Sequence, residues 1–352
     1  MTEGETIVAG AGLWGCTMAR RLAEAGRKVL VLEKRAAVGG NCRCEDDPET
    51  GIEIHAYGSH IFHTHDRKVW DFVRRFTDFN GYQHKVLANW RGRLYHLPLG
   101  LTLVNKFFGV ELKPGELEAF LAEPGRKDAL FDAFFRGYTS KQWGRPPEEV
   151  DPSVIRRVPV RGNYDTNYFN DYWQGIPSDG YNALFDRLLD HPNIVVRTND
   201  EFRIENEEWR NRKVYYSGPL DALFGYRFGA LPWRSLRFER ERMDVSDFQG
   251  TSVVNYTEAE VPYTRIHEFK HYHPERKDVM ALPKTLVMRE YPKTWEPGDE
   301  PYYPVSNPES AALLAKYQDE AARAGLVVGG RLGAYRYCDM DQAIAAALAV
   351  EI

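Results

Sequence analysis

Residues 6–15 read TIVAGAGLWG, a short apolar run from Thr6 to Ala9 that ends in Gly10, Gly12 and Gly15 at GxGxxG spacing. Apolar residues recur at helical spacing from Trp14 to Ala25, and Lys28 to Leu32 (KVLVL) is a second apolar run. Strand, glycine turn, helix and strand in that order make a βαβ unit, and the glycine turn is where such units hold a pyrophosphate. Gly10 permits the tight turn, Gly12 lets a pyrophosphate approach the backbone, and Gly15 lets the helix pack closely on the strand. The phosphate would then lie at the positive end of the helix. Glu33 follows KVLVL directly, where an acidic side chain accepts hydrogen bonds from the adenosine ribose. A carboxylate there also argues against a 2′-phosphate, and hence against NADP.

Past Glu33 come Lys34, Arg35 and a second glycine turn, Val38-Gly39-Gly40-Asn41. This extension resembles the FAD-dependent glutathione-reductase-like and amine-oxidase-like families, in which such a turn lies along the dinucleotide. At the far end LVVGG reads as a buried strand that leads through Arg331 to Asp341 into a last helix, Asp341 to Val350. The start of that helix would direct its positive end at an anionic ligand such as a reduced flavin, and Asp339 or Asp341 would cap it.

The length of 352 residues predicts two or three domains at roughly 150 residues each. Strand and helix alternate at both ends, which predicts an α/β fold whose two ends pair in one sheet. The expected frame is a Rossmann-like FAD-binding domain made of residues 1–80, 181–225 and 310–352. KVLANW and RLYHLPL, around Arg91-Gly92-Arg93, predict a β-hairpin, and SVVN and TLVMRE read as strands. Residues 81–97 and 226–309 are therefore expected to form an antiparallel β-sheet domain. GELEAFLAE and KDALFDAFFRGY predict an inserted helical domain over 98–180, closed by a polar, aromatic stretch over 152–180 that reads as a mobile loop.

Lys plus Arg number 46 against 51 Asp plus Glu, a net charge of −5, so nucleic acid is not the expected partner. The opening MTEGE is acidic, the first apolar run is broken by glycine, and the late run AIAAALAV is too short to span a bilayer. A cytoplasmic protein without membrane insertion is expected. Cys16, Cys42, Cys44 and Cys338 offer no CxxC pair and no zinc spacing, and read as reduced thiols. His60, His63 and His65 lack a partner that completes a tetrad and read as a loop, so no metal is expected. Lys270-His271-Tyr272-His273, with Arg276 and Lys277, reads as a solvated face beside the ligand opening. Aromatic residues make up 13% of the chain, and Tyr and Trp suit half-wetted clefts as well as cores.

Nine segments in order from residue 6 to residue 342 resemble the UDP-galactopyranose mutase family: Gly10 to Gly15, EKRAAVGGN, YGSHIFHT, YTSKQWG, RRVPVRGNYDTNYFND, YSGPLDALFGYRFG, YTRIHEFKH, PYYPV and GRLGAYRYCDMDQ. Ser59 departs from the pattern, standing where many members have proline before His60. Cys338 sits where an aromatic is common, and the chain stops soon after Val350. The resemblance implies a flavoenzyme that interconverts UDP-galactopyranose and UDP-galactofuranose, a supply step for cell-surface polysaccharide, with no net redox change. It implies non-covalent FAD that is active when reduced. N5 of the reduced flavin is then the nucleophile that attacks C1 of galactose and expels UDP; the adduct opens, the sugar recloses through O4, and UDP returns.

By the same resemblance His60, Arg157 and Arg265 are catalytic: His60 in the loop beside the flavin, Arg157 in the mobile loop that closes over substrate, Arg265 as a second arginine on the diphosphate. Phe134, Phe135, Tyr138 and Trp143 match a uridine-binding aromatic patch, with Tyr138 on uracil. Tyr168, Tyr303 and Tyr337 match tyrosines that hold the diphosphate, Arg331 and Asp339 match residues near flavin and sugar, and Asn255 matches a further substrate contact. Cofactor contacts are expected from Gly10, Gly12, Gly15, Glu33, Lys34, Gly40, Asn41, Arg331, Met340 and Asp341. UDP-galactose is the implied small-molecule partner, and a homodimer is the expected assembly. Two arginines with fork geometry and a few phenol hydroxyls bind a diphosphate without requiring a basic protein. The competing reading is an FAD-dependent oxidoreductase of the amine-oxidase-like group. That chemistry needs an apolar tunnel, which the many tyrosines and arginines argue against.

Overall fold

The computed structural model describes residues 5–150 and 160–352. Residues 151–159, and with them Arg157, lie outside the described residues. Thr6–Ala9 and Val29–Glu33 are buried along their whole length, as strands covered on both faces must be. They sit inside a five-stranded sheet in the order Ile194–Thr198, Val29–Glu33, Thr6–Ala9, Val214–Tyr216, Val327–Val328, with every neighbouring pair parallel. Val327–Val328 brings the end of the chain back to the sheet that opens it. On one face Val8, Val29 and Val31 pack with Trp14 and Leu22 of the first helix, Leu13–Glu24, with Leu184 and Leu188 of Gly180–Leu189, and with Ile344 and Ala347 of the last helix, Met340–Ala349. On the other, Ile7, Ala9, Leu30 and Leu32 pack with Trp209, Leu231, Trp233 and Tyr317. The alternation of the strands thus feeds two separate cores.

A seven-stranded sheet follows the order Tyr303–Pro304, Trp233–Met243, Thr285–Thr294, Arg265–Glu268, Val253–Tyr256, Val86–Trp90, Arg93–Leu97. The hairpin at its edge turns on Arg91 and Gly92, both at positive φ (51° and 73°), as a two-residue hairpin turn requires. Neighbours are antiparallel except Val253–Tyr256 and Val86–Trp90, which run parallel. The expected antiparallel sheet carries one parallel seam there. Between those two strands the chain makes a long excursion, which supplies the crossover that a parallel pair needs.

Among the strands that escape the sequence reading are two central members of this sheet. Trp233–Met243 alternates charge with apolar residues and shows no apolar run; it is held by register against Thr285–Thr294 and by cross-strand pairs such as Arg289 with Glu241 at 2.5 Å. Arg265–Glu268 lies within the sheet, and the basic stretch after it is not a solvated face: Lys270 and Tyr272 are buried. The Lys270 ammonium is spent on backbone, donating to Ser246 O at 2.6 Å. The helical region contains Leu101–Phe108, Leu117–Ala122, Arg126–Phe131 and Gly137–Trp143, with a π-helical turn at Asp132–Arg136. The expected loop is tied down from residue 160 onward: Val160–Arg161 pairs with Leu99–Gly100, and Trp173–Gly175 pairs with Phe62–Thr64. No helix among the described residues is long and apolar enough to cross a membrane.

Candidate functional site

A continuous cleft of about 1020 Å³ runs from the first glycine turn, between the two sheets, to the helical region. Its first end is built from glycines with different jobs. Gly10 turns at φ +100°, and a Cβ there would lie 2.3 Å from Ser217 Oγ; a Cβ on Gly15 would lie 1.9 Å from Gly10 O. Gly15 therefore closes helix onto strand and does not line the cleft, whereas the nearest atom to a Cβ on Gly12 is 3.9 Å away, and Gly12 does line it. The second glycine turn abuts the first: Gly39 N–H donates to Ala11 O at 2.8 Å, and a Cβ on Gly40 would lie 3.0 Å from Gly12 Cα. Glu33 is buried and accepts from Ala11 N–H at 2.8 Å and from Arg35 N–H at 2.9 Å. The acid at the end of the second strand thus fixes the glycine turn as well as facing the cleft.

Lys34 stands exposed at the rim. Arg35 lies over the Tyr57 ring, pairs with Glu300 at 2.5 Å and donates to Asn41 Oδ1 at 2.9 Å. Its Nη1 is buried with no hydrogen-bond partner among the described residues. Arg331, Asp339 and Met340 line the cleft; Asp341 does not, its Oδ2 accepting from Thr64 Oγ1 at 3.0 Å. Asp339 is the N-cap of the last helix, so that helix and the first both begin at this cleft. A bare glycine cradle, two helix N-termini and a buried guanidinium hydrogen without a partner fit the pyrophosphate of a dinucleotide.

The other end is organised by one row across the seven-stranded sheet. Asn255, Arg265 and Glu290 are direct cross-strand neighbours, so they share a face, and all three line the cleft. Arg265 Nε lies 3.2 Å from Glu290 Oε1, and Arg265 Nη2 donates to the Tyr138 hydroxyl. Burial opposes ionisation of Glu290, yet the Arg265 charge and hydrogen bonds from His267 and Thr264 outweigh it and bring the carboxyl down to about 2. The pair is therefore ionic throughout the physiological range. Asn255 Oδ1 and Gln142 Oε1 are buried at the cleft without a hydrogen-bond partner among the described residues, two acceptors open to a ligand N–H or O–H.

His60 donates from Nδ1 to Gly58 O at 2.7 Å, which leaves Nε2 as its acceptor. Burial pushes its pKa down to about 4, so the ring is neutral. Trp143, Tyr303 and Tyr337 form a row of rings, Tyr303 stacked on Tyr337 at 5.7 Å and tilted against Trp143 at 6.1 Å. Tyr168 lines the cleft edge-on to Phe169 and His84. Phe134 is a core ring at the base of the cleft, packed on Trp90, Tyr95 and Phe107, whereas Phe135 is only partly buried at its wall. The π-helical turn offsets these two rings from the 3.6-residue period assumed in the sequence.

The structure gathers every sequence-expected site residue at this cleft except Gly15 and Asp341, which stand behind it, and Arg157, outside the described residues. It adds Ser59, His84, Gln142, Phe169 and Glu290 to the wall. Of these, Glu290 carried a legible signal: in TLVMRE it alternates with Leu286 and Met288, a carboxylate at a core-facing position of a strand.

A sequence profile described as UDP-galactopyranose mutase matches residues 133–337, and one described as an NAD(P)-binding Rossmann-like domain matches residues 8–76. The chain is 38% identical over 366 residues to a probable UDP-galactopyranose mutase of Klebsiella pneumoniae, covering 99% of this chain and 94% of that protein. It is also 38% identical over 371 residues to a dTDP-fucopyranose mutase of Escherichia coli, covering 98% and 96%. Among solved structures, that of a reduced UDP-galactopyranose mutase is similar in fold, with a TM-score of 0.74 at 18% identity, covering 99% of this chain and 94% of that one.

Proposed function

The chain belongs to the UDP-galactopyranose mutase family and is by that membership an isomerase, and we propose that it interconverts UDP-galactopyranose and UDP-galactofuranose on non-covalently held FAD in its reduced state. The observation that carries this reading is one cleft joining a dinucleotide cradle to an arginine that is kept charged by a buried carboxylate and flanked by tyrosines. Gly10, Gly12, Gly40 and Asn41 would hold the pyrophosphate region of FAD, and Arg331 and Met340 its flavin end. Bound and reduced, FAD would supply the nucleophile toward the anomeric carbon of the sugar, with no net redox change.

The chain's own residues position and stabilise. Tyr138 and Trp143 give uracil a ring platform. Arg265, with Tyr168, Tyr303 and Tyr337, balances the charge that develops on the departing diphosphate, and Arg157 supplies the second cation from its loop. Asn255 Oδ1 accepts from a sugar or ribose hydroxyl. Neutral His60 holds its ring by Nδ1–H and offers Nε2 as an acceptor beside the flavin end. The loop with Arg157 excludes water from the open sugar. We place the protein in the cytoplasm as a homodimer, which sedimentation would check.

The test incubates dithionite-reduced protein with UDP-galactofuranose and follows UDP-galactopyranose by chromatography. Equal turnover with oxidised and reduced flavin, or none with either, overturns the proposal. Arg157→Ala should abolish conversion and keep the yellow colour; loss of flavin from a folded variant would show that Arg157 belongs elsewhere. The equal identity to a dTDP-fucopyranose mutase supports a second reading, in which the sugar is 6-deoxy and the base thymine. Running dTDP-fucofuranose in parallel decides between them by the ratio of kcat/KM.

A further inference from the structure

Beneath Arg265 lies a chain of hydrogen bonds that uses a residue outside the expected site. Glu290 is 2% exposed and, as an anion, can only accept. Its Oε1 accepts from Thr264 Oγ1 at 3.0 Å and faces Arg265; its Oε2 faces His267 Nε2 at 3.3 Å. The hydrogen on that side therefore belongs to His267 Nε2. His267 is fully buried and burial keeps it neutral, so its Nδ1 has a lone pair and no hydrogen. Ser59 Oγ, 2.5 Å away, is the donor to it. Ser59 in turn accepts from the hydroxyl of Tyr272, a fully buried ring stacked on His55. One anion thus fixes every proton in the series: Tyr272 O–H to Ser59, Ser59 O–H to His267, and His267 N–H to Glu290, beside Arg265.

We propose that Ser59 is a positioning residue whose hydroxyl, through His267 and Glu290, sets the Arg265 guanidinium against its anionic ligand. Ser59 is bonded directly to His60, so the series also ties the loop at the flavin end to the arginine at the diphosphate end. Without the Ser59 hydroxyl, Nδ1 becomes a buried acceptor with no donor. The Glu290 carboxylate keeps the hydrogen on Nε2, but the ring, released at Nδ1, tilts in search of another donor and draws its Nε2–H off Glu290 Oε2. Glu290, short of that donor, shifts and takes Arg265 with it. The proposal rests on reading Arg265 as a diphosphate arginine.

The experiment compares the parent protein with Ser59→Ala and Ser59→Thr, using UDP as the probe in calorimetry and ¹⁵N-labelled histidine to read the hydrogen bond at His267 Nδ1. UDP needs no turnover, so binding is scored apart from catalysis. Ser59→Ala should keep its flavin and weaken UDP about tenfold, while the His267 Nδ1 resonance moves to that of a ring nitrogen without a donor; Ser59→Thr, which restores a hydroxyl, should recover both. A Ser59→Ala protein that binds UDP within about twofold of the parent, or whose His267 Nδ1 resonance stays at the parent position, overturns the proposal. A parent that does not bind UDP would instead overturn the reading of the cleft, with the Nδ1 resonance still deciding whether Ser59 holds His267.

Discussion

Two alanine substitutions in the glycine turn distinguish packing from ligand access at single residues. In Gly15→Ala the new methyl meets a backbone carbonyl at 1.9 Å, so helix and turn must separate; a loss of more than about 3 kcal/mol by urea denaturation is expected. In Gly12→Ala the methyl has no atom within 3.9 Å and the backbone already lies at φ −80°. The flavin-free protein should therefore stay within about 1 kcal/mol of the parent, while flavin absorbance per protein falls because the methyl occupies the approach of the pyrophosphate. Equal flavin content in Gly12→Ala and the parent would show that the cradle is used differently. At the opposite end, Glu290→Gln keeps the shape but removes the charge that faces Arg265 and His267. A destabilisation of about 1–3 kcal/mol and weaker UDP binding by calorimetry are expected; unchanged binding would mean that Arg265 does not depend on its carboxylate.

The helix Gly137–Trp143 illustrates what an element needs beyond its own sequence. It is seven residues long and carries Tyr138 and Trp143, and its last carbonyls lack partners of their own. Buried Arg234 supplies them from the sheet, donating by Nε to Gln142 O at 2.8 Å and by Nη2 to Lys141 O at 3.0 Å, while Nη1 donates to Thr294 Oγ1 at 2.8 Å. Lys141 returns the contact, its ammonium donating to Tyr256 O, Val261 O and Tyr263 O at 2.8, 3.0 and 2.9 Å. Two cations thus clamp the aromatic platform to the sheet that holds Arg265. Arg234→Met should cost about 2–4 kcal/mol in urea denaturation, because buried acceptors are orphaned together, and should weaken UDP binding without loss of flavin. Helical spacing and the YTSKQWG segment made the helix legible. The clamp was not, because Arg234 sits in a stretch whose alternating charges look like surface until the register with Thr285–Thr294 is known.

Across the whole molecule, the seam between sheets buries several histidines, and this sets the acid response. Burial lowers His55, His60, His84 and His267, with His60 near 4 and His84 near 3. From pH 6.5 down to about 4 the unfolded chain binds protons that the folded chain refuses, so stability falls as pH falls, by up to about 1.4 kcal/mol per pH unit for each such ring. His271 and His273 are raised: burial opposes their charge, but the hydrogen bonds they donate to Glu268 and Glu53 outweigh it. Their contribution is complete below pH 6.5 and is lost only above it, so it adds nothing to the acid slope. Urea midpoints should fall between pH 6.5 and 5, and His84→Gln should flatten that slope; a flat parent profile would rule out neutral burial.

What the sequence determined by itself is what neighbours along the chain can specify: the βαβ unit with its glycine turn, Glu33 at the end of its strand, the Arg91-Gly92 hairpin, the last helix and the ordered motifs that carry the family resemblance. Backbone conformation and short-range periodicity are local quantities, so they leave their mark in spacing. The parallel seam beside Val253–Tyr256, the buried Lys270, the pairing of Arg265 with Glu290 and the Ser59–His267 hydrogen bond were decided only by the tertiary structure. Their energies depend on which distant groups share a low-dielectric interior, and burial makes the same charged or hydroxyl side chain either costly or tightly bound.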